Sequence, residues 1–121
     1  MLQNIDLLVQ ETMESYYEYV LKIEGGCLII ANAFENMDVQ IGIQGVQTFS
    51  EGLSWLLEAE SLLQMQSYQI ASPISQIAVL FEKINDALEA HKYQEVGFLF
   101  KEEMQPLFKK ASEWKFSKIM S

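Results

Sequence analysis

Residues 22–36 read KIEGGCLIIANAFEN, and whether this stretch is one helix or a break between two decides the fold. Gly25 and Gly26 stand in its middle, and each glycine costs about 1 kcal/mol relative to alanine inside a helix. Yet Ile5, Leu8, Thr12, Tyr16, Tyr19, Ile23, Gly26, Ile30, Ala33 and Met37 recur at three- and four-residue steps on both sides without a slip. A continuous helix over residues 4–36 preserves that register, whereas a C-cap glycine after Ile23 would interrupt it. Close approach of a neighbouring backbone, or of a large side chain such as Trp55 or Phe81, is then the expected reason for the glycines.

Working outward, Asp38 opens a second helix that reaches about Gln66 and carries Phe49, Leu53, Leu56, Leu57 and Leu63. The alternation of Val39, Ile41 and Ile43 would also suit a strand, but no partner strand is evident. Gly42, Gly45 and Gly52 are not spaced as a nucleotide-binding fingerprint and read as aids to tight helix packing. After the connection QSYQIAS, Ser72 as N-cap and Pro73 at the first helical position begin a third helix to His91, with Ile74, Ile77, Ala78, Phe81, Ile84, Ala87 and Leu88 on one face. The last helix carries Val96, Leu99, Phe100, Glu103, Leu107, Ala111 and Trp114, and Pro106 should kink or divide it. The expectation is an all-α, up-and-down four-helix bundle with a long first helix, one domain over residues 1–121. The first helix would run ~50 Å against ~27 Å for the third, so its amino-terminal part overhangs.

The net charge of −9, from 17 acidic against 8 basic residues and no arginine, argues against nucleic acid and phosphate ligands. No apolar stretch approaches the ~18–20 residues of a membrane span. Asp6 precedes the first basic residue, Lys22, so no charged leader is evident, and the single Cys27 cannot form an internal disulfide. A cytoplasmic protein without membrane contact is expected.

No set of residues declares a reaction. His91 is the only histidine and falls at a helix end, where a capping role is ordinary. Cys27 lies in an apolar run, which raises a thiol's pKa and makes it an inert core residue. Glu60 and Glu103 lie nearest the apolar seams and are the carboxylates to examine for burial. Six methionines and 12% aromatic residues provide adaptable apolar surface of the kind that accepts helical segments.

The segments GGCLIIANAFENMD, TFSEGLSWLLEAESLL and ISQIAVLFEKINDALEAHKYQEVGFLFKEEMQPLFKKASEWKFSKI follow one another in an order that resembles the flagellin-specific export chaperones. The likeness covers roughly residues 16–119. It implies a small acidic four-helix protein that holds the C-terminal helices of flagellin. The chain departs from that family in Pro106, in a third helix without paired tyrosines and arginines, and in a helical segment 1–15 where the chaperones carry a looser strap.

The expected function is therefore non-enzymatic binding of a helical segment of a protein partner, with no cofactor or metal. The alternative is a structural homo-oligomer, and the overhang makes a homodimer the expected assembly. Leu7, Leu8, Tyr16, Tyr17, Tyr19 and Val20, on the part of the first helix least covered by the others, are the expected contact residues.

Overall fold

The computed structural model describes the backbone of residues 2–119 and the side chains of residues 5–119. Helix α1, Leu2–Glu35, runs unbroken through Gly25 and Gly26 for 34 residues. It is followed by α2 (Val39–Met65), α3 (Ile74–Glu89) and a fourth rod built from α4 (Tyr93–Leu99), a π-helical turn (Phe100–Met104) and α5 (Gln105–Lys109). Short connections reverse the chain each time, so the architecture is the expected up-and-down four-helix bundle with a long first helix.

Two of the reversals are Schellman caps. Met37 (φ 62) and His91 (φ 58) take the left-handed conformation, while Asp38 N–H bonds Ala33 O at 2.8 Å and Lys92 N–H bonds Ala87 O at 2.9 Å. His91 thus ends α3 through its backbone. Its exposed ring stands 2.8 Å from the Tyr93 hydroxyl.

The α1–α2 seam has a seven-residue repeat. Tyr16, Val20, Ile23, Cys27, Ile30 and Phe34 of α1 and Gly42, Val46, Phe49, Leu53 and Leu56 of α2 are buried, in steps of three and four that keep one stripe of each helix turned to the core. This seam corrects the register read from the sequence, which missed Val20 and Phe34. Glycines do bring the two helices together, but on α2. A Cβ on Gly42 would stand 2.7 Å from the Phe34 ring, and one on Gly45 would stand 2.6 Å from Ile30 Cγ1. At Gly25 and Gly26 a Cβ would meet nothing within 4 Å, so the close approach expected there is absent. Gly97 serves α4 in the same way, with Ala31 O 3.3 Å from its Cβ position.

Phe49 sits at the middle of the core, its ring centroid 5.1 Å from Phe81, 5.4 Å from Phe100 and 6.0 Å from Phe108. Residues of the fourth rod reach it in four-residue steps, Val96, Phe100, Met104 and Phe108, because the π turn winds more slowly than an α-helix. That turn lies just before Pro106, which has no N–H to donate to Glu102, and divides the last helical segment into α4 and α5, as the proline led one to expect. It also turns Glu103 out to solvent and leaves Leu107 half-buried, contrary to the helical period read through them.

The connection after α2 contains a strand that the sequence reading did not foresee. Strand β1, Tyr68–Ile70, pairs antiparallel with β2, Phe116–Lys118, in the register Tyr68 to Lys118 and Ile70 to Phe116. The three-residue strands lacked enough alternation to be legible. Ser72 does not cap α3: Pro73 occupies that position, and the Ser72 hydroxyl is engaged elsewhere.

Alanine at Gly25 or Gly26 should stabilise the fold by about 0.5–1 kcal/mol each. Alanine at Gly42 or Gly45 should destabilise it by about 1–3 kcal/mol, because Phe34 and Ile30 are buried and cannot yield freely. Urea unfolding of the four variants would separate these signs.

Candidate partner-binding groove

The six residues expected to form one contact surface are divided by the fold. Tyr16 and Val20 are 0% and 1% exposed and belong to the core, a correction that follows from the seven-residue seam. The Tyr16 hydroxyl donates to Glu60 Oε2, and the same oxygen accepts from Ser72 Oγ at 2.8 Å. Glu60 is thereby half-buried with two donors. Tyr17 is half-buried and faces the C-terminal strand: its hydroxyl accepts from Phe116 N–H at 2.8 Å, and the Lys115 ammonium lies 4.7 Å from its ring centroid. Its aromatic surface is thus used within the chain. Tyr19 leans across α2, its hydroxyl above Gly52 and its ring edge-on to Trp55 at 5.8 Å. Leu7 and Leu8 are exposed.

Two of the six, Leu8 and Tyr19, line an open groove along the outside of the α1–α2 hairpin. The fourth rod packs on another side of α1, and α3 packs on that rod. The groove consists of four cavities in series that share walls. Ile5, Leu8, Leu62 and Met65 border the first. Leu8 and Leu62 continue into the second, Ser15 and Trp55 join it to the third, and Tyr19, Lys22 and Thr48 join that to the fourth. The last cavity ends at Ile29 and Gly45. From Ile5 to Ile29 the groove follows α1 for about 36 Å at 1.5 Å per residue.

Its apolar walls are largely uncovered: Leu8 is 61%, Leu62 52%, Met65 75% and Ile29 66% exposed. Ile29, Leu62, Met65 and Trp55 were not among the residues expected to make contact. Leu62 and Met65 lie beside the α2 core stripe, so a periodic reading passes over them, and only the antiparallel hairpin brings them opposite Ile5 and Leu8.

Among the described residues no three histidine, cysteine or acidic side chains are grouped to hold a metal, and no helix is long and apolar enough to cross a membrane. Glu60 is half-buried, while Glu103 and His91 are exposed. Cys27 is fully buried, and burial followed by the Glu24 carboxylate pushes its thiol up to about 12. Burial first, and then the hydrogen bond to Glu60 and its charge, push the Tyr16 phenol well above its ordinary value.

The architecture defines the chain as an all-α four-helix bundle with an open groove along its first two helices. It belongs to the family of the domain of unknown function DUF8042, whose sequence pattern matches residues 11–113. No curated protein and no solved structure matches the chain.

Tyr16→Phe should cost about 1–3 kcal/mol, because the half-buried Glu60 loses a donor. Raised folded-state values for the phenol and the thiol mean that the unfolded chain releases these protons first as pH rises. The resulting stabilisation is complete below the ordinary thiol value of 9.0 and declines above it, through 10.0 for the phenol and onward to about 12. Urea midpoints between pH 7 and about 10.5 should therefore fall at the alkaline end, and less steeply in the Tyr16→Phe variant.

Proposed function

We propose that this protein is a non-enzymatic binding protein that holds a helical segment of a partner along the α1–α2 groove. The observation that carries this reading is the groove itself, a row of four adjoining cavities along two antiparallel helices with exposed Leu8, Leu62, Met65 and Ile29 on its walls. An amphipathic helix laid in such a channel buries its apolar face and gains roughly 25 cal/mol for each Å² removed from water. The resemblance to flagellin-specific export chaperones makes a C-terminal helical segment of flagellin the first partner to test. A second reading, a homo-oligomer closed through the same surface, draws on the same exposed residues. Both readings put the protein's work at an interface and assign it no reaction, cofactor or nucleic acid.

Light scattering during size-exclusion chromatography, with and without that flagellin peptide, tests both readings. A monomer should shift to a one-to-one complex, and the Leu8→Glu/Leu62→Glu variant should keep its helicity and lose the complex. A dimer that ignores the peptide and dissociates in the variant would support self-association instead.

A further inference from the structure

The groove is apolar at both ends and acidic in between. Glu11 and Glu58 border its second cavity from opposite helices, and Glu18 and Glu51 border its third in the same way. All four are exposed. On each helix the two carboxylates are seven residues apart, which places them on one face two turns from each other. Among the described residues, Lys22 is the one cation bordering these cavities. Among the described residues the one ion pair, Lys101 to Glu35 at 3.7 Å, involves none of these groups.

The bias extends through the hairpin. Residues 1–66 contain ten acidic side chains against Lys22 alone, whereas residues 67–121 contain seven acidic and seven basic. The charge of the whole chain is therefore concentrated on the two helices that form the groove.

Resting on the groove reading above, we propose that the occupant is a basic amphipathic helix of a partner protein, with lysine or arginine through its middle turns and apolar residues near both ends. The apolar ends would meet Leu8, Leu62 and Met65 at one extreme and Ile29 at the other. The basic middle would stand between the two facing pairs of carboxylates, where it relieves repulsion and supplies the absent cations. A second copy of this chain is the poorer occupant, since its hairpin would bring carboxylates of the same sign against them. Gly26 adds a steric argument. It borders the fourth cavity, and the space beside it is not filled by the chain itself, leaving room for a partner backbone to approach. A helix of about 24 residues matches the 36 Å channel.

Three synthetic helical peptides of about 24 residues, with identical apolar ends and lysine, glutamine or glutamate in the middle turns, test the assignment by calorimetric titration at about 50 and 300 mM salt. The lysine peptide should bind the wild-type protein and weaken with salt. The glutamine peptide should bind roughly ten- to hundredfold more weakly, and the glutamate peptide should not bind. Glu11→Gln/Glu18→Gln/Glu51→Gln/Glu58→Gln should erase the difference between the lysine and glutamine peptides, and Thr48→Trp, which fills the channel from an exposed position, should block both. Equal, salt-insensitive binding of the lysine and glutamine peptides would overturn the charge assignment while leaving the groove reading intact. Failure of all three peptides to bind, or lysine-peptide binding undiminished by Thr48→Trp, would overturn both.

Discussion

Phe34 is the point on which the packing of this bundle converges. Fully buried near the end of α1, its ring lies over Gly42 of α2, its Cβ meets the Cβ position of Gly97, and it stacks on Tyr93 at 5.9 Å. Both neighbouring helices come this close because each carries hydrogen where another residue would carry a methyl group or more. Ile30 over Gly45 repeats the arrangement one turn along the hairpin. The spacing set there fixes which side chains the seven-residue repeat buries, and so which remain outside.

At the opposite end the hairpin is tied by polar contacts. Tyr16 and Ser72 converge on one oxygen of Glu60, joining α1, α2 and the approach to α3. Tyr17 holds the strand after the fourth rod through the Phe116 amide, and β1 and β2 close the ribbon. These contacts use up the aromatic surface of α1 that faces the C-terminal segment. The outer face of the hairpin receives no comparable cover, and the apolar groove lies along it. Among the described residues its carboxylates have Lys22 alone beside them, so the charge pattern favours a basic occupant over a second acidic copy.

Much of the helical framework was legible in the sequence because it rests on local physics. Apolar steps of three and four carried α1 through Gly25 and Gly26, Asp38 marked the start of α2, and Gly42, Gly45 and Gly52 were recognisable as packing glycines. The phase of the pattern was harder to read. The first helix is apolar on more than one side, so Leu8 and Tyr19 on the groove and Tyr16 and Val20 in the core all satisfied similar spacing. The π turn changed the winding before Pro106 and turned Glu103 away from the seam, a shift that a fixed 3.6-residue period does not describe.

By itself, then, the sequence determined the course of the first three helices, the acidity of the chain and the inert setting of Cys27, since propensity, periodicity and charge are properties of neighbouring residues; the last helix, read through to Trp114, ends at Lys109. Only the tertiary structure decided which face of α1 stays open, because that depends on the register against α2 and on where the fourth rod docks. It also brought Leu62 and Met65 opposite Leu8, and Glu58 and Glu51 opposite Glu11 and Glu18. Those residues are some thirty to sixty positions apart, and they share a groove only because the antiparallel hairpin runs its two helices past each other.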